Sequence, residues 1–355
     1  MQRTFIVLAL LAGLTSLLAC GGESPATRVT INGREMFVNG TRFQMRGVVY
    51  SPVPSGETLE RWSFPDQASF FDRDFEYLQS MNCNTIRTLL PVNSALLDSA
   101  RRHGLLVICA FPVDPTQHDF SLPAERAAIK DAFRAYVAEF KNHPAVLMWC
   151  LGNEVNRATA SSYWYSLLDE CAAVAHAEEG EYFHPVSTAN FEIQEIGSTV
   201  IHTTDADLPN VDLWCVNAFR GASFGTLFTN FALRSLKPLC VSAFGTDAYD
   251  ALPGHLIVDE TTQAQVAVSL WNELDANFAT CVGGCLMEFS DEWWRAGNPS
   301  THDTASTSLP SSVFPPDNTL NPEFWGMFDI TPHSGAQQSR TARQIYHALS
   351  QEWRP

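Results

Sequence analysis

A few residues in this chain sit where chemistry could happen. The run Trp149-Cys150-Leu151-Gly152-Asn153-Glu154-Val155-Asn156 follows the short apolar stretch Ala145-Val146-Leu147-Met148, which Pro144 opens. Such a run reads as a strand buried on both faces, ending in an amide and a carboxylate. Other strand-like runs carry Arg46, Arg87, Asn217 with Arg220, and Glu288 with Asp291-Glu292-Trp293-Trp294 at their ends. A carboxylic acid can protonate a leaving oxygen, amides and guanidinium groups bond hydroxyls, and indole faces stack on sugar rings. Gathered on one rim, these are the parts of a carbohydrate cleft.

A rim needs elements that bring distant residues together, and the order of the runs supplies one. Eight strand candidates, near 45, 85, 107, 148, 186, 213, 240 and 285, are mostly separated by helical patterns. The helices are expected over Asp66–Met81, Asn93–His103 (stopped by Gly104), Pro123–Lys141, about Ala160–Glu179, Thr261–Phe278 and Arg340–Glu352. A short one is expected near Phe191–Ile196. Strand and helix alternating eight times imply an α/β fold, a (β/α)8 barrel whose chemistry sits at the C-terminal ends of the strands. A doubly wound sheet is the alternative. Before the barrel, Asn32-Gly33 and Asn39-Gly40 mark turns between short alternating runs, a hairpin that would close the barrel floor. After the last strand, Trp293–Ile330 is a long Pro/Ser/Thr/Asn-rich loop, and a loop of that length usually has a task.

Composition narrows the partners. The 355 residues carry a net charge of −17, which excludes the basic footprint of nucleic-acid binding and argues weakly against an anionic polymer as substrate. The N-terminus has Arg3, then the apolar Phe5–Leu18, too short to span a bilayer comfortably. It ends Leu17-Leu18-Ala19-Cys20, which resembles the lipobox of bacterial lipoproteins. On that reading residues 1–19 are a signal peptide, Cys20 carries lipid, 20–28 are a tether, and 29–355 are the barrel. An ordinary secretory cleavage near Ala19 is the alternative. The expected location is the bacterial cell envelope, held by the lipid anchor alone, with the chain a monomer. Most of the remaining eight cysteines lie in apolar runs and read as buried thiols. No Cys/His group has metal-ligand spacing, so neither metal nor cofactor is expected.

The strand ends also resemble a family. Asn153-Glu154 ending strand four, Arg87 on strand two and Asn217-Ala218-Phe219-Arg220-Gly221 at strand six are similar to the retaining glycoside hydrolases of clan A, nearest to families 2 and 5. The resemblance covers about residues 30–352. It implies that Glu154 is the general acid/base, that Asn153 bonds the sugar 2-hydroxyl, and that Arg87 supports the nucleophile. A solvated loop carboxylate is the plain alternative for Glu154. Strand seven departs from the pattern. Where the family ends in a motif like Ser-Glu-Phe-Gly, this chain has Ser242-Ala243-Phe244-Gly245, so Ala243 stands at the nucleophile position. The Tyr that commonly contacts the nucleophile is replaced by Phe219.

Three readings follow. The chain is a non-catalytic member that keeps a sugar-binding cleft; or Glu288 or Asp247 substitutes, with inversion open if it lies about 6.5–9.5 Å from Glu154; or Ala243 was introduced to disable an enzyme. Glu288, Asp291 and Glu292 read foremost as a polar rim that orients the following loop. Trp293 and Trp294 are expected to form a sugar platform. His202 could line the cleft, but a lone His is more often a satisfied structural residue.

Overall fold

Alternation of apolar side chains along each short strand builds two shells of core. On Val146–Asn153, Val146, Trp149 and Leu151 face the outer cluster, while Leu147, Met148 and Cys150 belong to an inner one. The computed structural model describes residues 26–180, 183–252, 254–304, 317–331 and 338–354, so Cys20 and most of its tether lie outside the described residues. Eight parallel strands close on themselves: β1 (Met45–Tyr50), β2 (Thr85–Thr88), β3 (Leu106–Phe111), β4 (Val146–Asn153), β5 (Val186–Phe191), β6 (Trp214–Asn217), β7 (Leu239–Phe244) and β8 (Cys281–Leu286). The expected (β/α)8 barrel is therefore the fold.

Helices α1 (Ala68–Ser80), α2 (Ser94–Arg102), α3 (Pro123–Phe140), α4 (Ser162–Glu179), α5 (Leu227–Ala232), α6 (Glu260–Ala276) and α7 (Gln344–Glu352) follow the strands. Their starts have local causes. Asn93, Ser161 and Asp259 accept hydrogen bonds from the N–H groups of Leu96, Trp164 and Thr262, and α3 opens on Pro123. Two expectations fail. The stretch after β5 forms turns instead of a helix, because Thr203 accepts from Ser198 N–H, donates to backbone oxygens and tethers Gly197. The last helix starts at Gln344, since Ser339–Ala342 pairs as a strand with Phe328–Thr331.

The N-terminal hairpin (Val29–Asn32 with Glu35–Val38) closes the floor as expected. Val29 and Met36 are fully buried in the same cluster as the interior residues Met45, Val49, Met148, Cys215 and Cys240. Strand β8 approaches β1 so tightly that a Cβ on Gly283, at φ +105°, would lie 2.2 Å from the Met45 carbonyl oxygen; only glycine fits. All eight cysteines among the described residues are buried free thiols.

Candidate active site

The same alternation aims three polar or short side chains into the barrel mouth. Ile86, Val216 and Phe244 pack outward, so their neighbours Arg87, Asn217 and Ala243 face inward at the C-terminal ends of β2, β6 and β7. Ala243 pairs directly with Asn217 across the two strands. Arg87 is 2% exposed, and its Nη1 donates to Asn217 Oδ1 and to the Ser242 carbonyl, both at 2.9 Å. Its Nη2 donates to Asn153 Oδ1 at 2.6 Å. Asn217 Nδ2 in turn donates to Asn153 Oδ1 at 3.0 Å and to Glu154 Oε1 at 2.8 Å. One guanidinium and two amides thus fix the carboxylate.

Glu154 holds its position through the backbone as well. It sits at φ +51° just after β4, and its N–H donates to the Ala189 carbonyl at 2.7 Å. Its second oxygen accepts from Arg157 at 3.0 Å, and that guanidinium lies over the Phe191 ring. A cleft of about 300 Å³ opens above this group, walled by Leu59, Leu89, Phe191, Phe219, Met287 and, from beyond β8, Trp294. Of the described residues lining it, Glu154 alone carries a carboxylate, and Ala243 presents only a methyl. An adjoining lobe of about 220 Å³ runs over Thr88 and Ala110–Asp114, and there Asp114 accepts from Thr116.

Arg87, Asn153, Glu154, Asn217, Ala243 and Trp294 come together as expected, and the other candidates go elsewhere. Glu288 stands two residues past β8 but is 1% exposed and does not line the cleft. Burial, then the neighbouring Glu292 charge, pushes its carboxyl well above the usual range; its nearest cation is Arg295, 3.6 Å away. Glu292, raised by burial, pairs with the same Arg295, whose guanidinium covers the Trp294 ring at 4.7 Å. Asp247 is fully buried, accepts from Tyr249 N–H, and is pushed up by burial to about 7. Asp291 takes both Nη groups of Arg343 at 2.6 Å, an internal tie for the loop rather than a rim acid. His302 and Asp329 bring ligand atoms within 4.8 Å of it, but both Asp291 oxygens already serve Arg343.

Three expectations need correcting, and the cleft alternative for His202 falls away. Trp293 is no sugar platform: it stacks on His302, and His302 on Phe324, as the core of the loop. Arg220 is turned from the cleft by a fork-on-carboxylate pairing with Glu192. The side chain of His202 is 68% exposed beside Asp207, away from the cleft. Arg46 lies at the opposite end of the barrel, bonded to the Asn82 carbonyl. One wall was missed altogether: Leu320, Pro322 and Trp325 return from the long loop, and Phe219 meets Trp325 edge to face at 5.1 Å. The apolar cluster Phe324-Trp325-Gly326-Met327-Phe328 near the end of this Pro/Ser/Thr/Asn-rich insertion was the available signal.

A model of the TIM barrel domain of the family 2 glycosyl hydrolases matches residues 29–256. The beta-glucuronidase of Rattus norvegicus is 26% identical over 240 residues, 57% of this chain and 35% of that protein. A 1,3-beta-glucanosyltransferase of Schizosaccharomyces pombe is 30% identical over 313 residues, 78% of this chain and 58% of that protein. In fold, a β-glucuronidase from Ruminococcus gnavus superimposes with a TM-score of 0.64 at 19% identity, over 92% of this chain and 53% of that one. A β-galacturonidase from Eisenbergiella tayi gives 0.62 at 16% identity, over 92% and 54%. The chain spans between about a third and somewhat over half the length of these relatives.

Proposed function

Since the chain belongs to the glycosyl hydrolases of family 2 through their TIM-barrel domain, we propose that it is a glycan-binding barrel that keeps its general acid but has lost its nucleophile. The observation that carries this reading is the lining of the cleft: Glu154 with its amide and guanidinium supports intact, and a methyl at Ala243. A methyl cannot attack an anomeric carbon, so the double displacement of a retaining glycosidase has no first step. The burial of Glu288 and Asp247, outside the cleft walls, disfavours either as a substitute base or nucleophile. Sugar would stack on Trp294 and Trp325 and bond Asn153 and Glu154.

The relatives suggest β-linked glucans and uronate-bearing glycans as ligands to try. Three guanidinium groups, Arg87, Arg157 and Arg295, reach this wall against one carboxylate, so a sugar acid is tolerated locally despite the acidic chain. Calorimetry with β-1,3-gluco-oligosaccharides and glucuronides, alongside hydrolysis of the matching aryl glycosides, tests the reading. Saturable binding with almost no turnover is expected, and rapid turnover with retention overturns it. We also propose that Cys20 is lipidated and tethers the barrel to a bacterial envelope. Cys20→Ser should then move the protein from the membrane to the soluble fraction.

A further inference from the structure

We propose that the barrel mouth contains a binding site for a small monovalent anion, of formate or azide size, between the Arg87 guanidinium and the Ala243 methyl. The starting point is a charge without a counter-charge. Other buried or half-buried arginines here face acids: Arg343 grips Asp291 on both oxygens, Arg340 meets Asp74 at 3.2 Å, and Arg295 lies between Glu288 and Glu292. Arg87 is as buried as any of them, yet among the described residues it pairs with no carboxylate. Its three hydrogen bonds end on two side-chain amide oxygens and one backbone carbonyl, all neutral.

Of its five N–H groups, that leaves Nε, which has no hydrogen-bond partner. Its charge also reaches the Cys150 thiol, but burial holds that thiol neutral, at about 12. Glu154 is the nearest acid in the network, one amide away: Asn217 accepts from Arg87 and donates to Glu154. That carboxylate also answers Arg157, so its charge is shared. A buried cation in this state favours any anion that can reach it.

The space to reach it exists. Ala243 lines the cleft beside Arg87 and Asn217, and its side chain ends at Cβ. Phe219 and Met287 flank the same wall, and their low polarity strengthens attraction to the guanidinium. A small anion with a terminal acceptor atom suits the site, because the partnerless Nε–H can add a charge-assisted hydrogen bond to the attraction. The site goes beyond the glycan reading and needs no turnover to be detected.

The test follows the melting temperature of the purified protein as sodium formate or azide replaces sulfate at constant ionic strength. A saturating rise is expected, roughly 5 °C at about a hundredfold the Kd, since a ligand that binds only the folded state stabilises it logarithmically. Ala243→Glu, which supplies an internal carboxylate, and Ala243→Leu, which fills the space, should each flatten the response. The infrared stretch of bound azide gives a readout that needs no variant: a shifted band that formate displaces is expected. A melting temperature indifferent to both anions, or an equal rise in the filled variants, overturns the proposal. So does an unshifted azide band.

Discussion

Ala243→Glu is the most informative perturbation this barrel offers. Removing one member of a catalytic set costs roughly 10⁴–10⁶ in rate, judged from a well-studied protease. At about 1.36 kcal/mol per tenfold, that is roughly 5–8 kcal/mol of barrier. The supports for a restored carboxylate are present. Arg87 already bonds the carbonyl of Ser242, the preceding residue, and Asn217 lies directly across on β6. One support is absent: Phe219 cannot donate the hydrogen bond a phenol would, and a bond to a charged acceptor contributes roughly 1.5–3 kcal/mol. Subtracting about one to two orders of magnitude for it leaves an expected gain of roughly 10²–10⁵ over the native chain. Adding Phe219→Tyr should recover at least tenfold of the difference. The assay is hydrolysis of aryl β-glucosides and β-glucuronides, with proton NMR identifying the first-formed anomer, which should be retained. A variant that folds, melts cooperatively and binds glycan but hydrolyses no faster than the native chain refutes the reasoning. Robust native turnover with retention refutes it too, by showing that strand seven is misregistered.

Further outcomes follow from the same geometry. Glu154→Gln in the Ala243→Glu background should abolish hydrolysis of unactivated substrates, measured by released reducing sugar, because nothing else protonates the leaving oxygen. Azide should restore slow turnover of activated glycosides by the native chain. Azide forms the new bond to the anomeric carbon as the aryloxide departs, and NMR should find the glycosyl azide of inverted configuration. Arg343→Met leaves the Asp291 carboxylate buried without its partner, so chemical denaturation should show a loss of roughly 3–5 kcal/mol; adding Asp291→Asn should recover part of it. Asp247, raised by burial to about 7, stays protonated in the folded chain where the unfolded chain ionises. Its stabilising effect is complete below the unfolded value and is lost as pH rises through about 7. Asp247→Asn should therefore flatten the fall in melting temperature between pH 4 and 8 and raise it at pH 8.

The C-terminal rim of the barrel is legible where period and position decide it. Once eight strands alternate with helices, a residue at a strand's C-terminal end faces the mouth or the helices by parity, and Arg87 and Asn217 obey it; Asn153 and Ala243 reach the mouth only because the register shifts between Cys150 and Asn153 and between Val241 and Ala243. Glu154 needed only the left-handed turn after Asn153. Loop residues obey no period. Trp293 and Trp294 are adjacent and alike in sequence, yet one stacks on His302 inside the loop and the other faces the cleft. What decides between them is the path of the chain, set by contacts such as Glu323 accepting from the Ala296 and Asp303 N–H groups. Arg220 failed for a related reason: Glu192, far away in sequence, captured a side chain that spacing pointed at the cleft. Arg46 failed by position, since it is the second residue of its strand and belongs to the floor.

The eight sealed thiols have a consequence in time rather than in space. While the barrel is closed, they are unreactive; burial pushes Cys83, Cys171 and Cys281 each to about 12. An unfolded chain regains ordinary thiols, with pKa near 8.5, that oxidants attack readily. Outside a reducing cytosol, each global opening is thus a gamble between reclosure and a random crosslink that the native barrel has no room for. Lifetime there is set by the unfolding rate and not by the equilibrium constant. Heat inactivation should be largely reversible under a reductant, and progressively irreversible, with scan-rate-dependent midpoints, in oxidised glutathione.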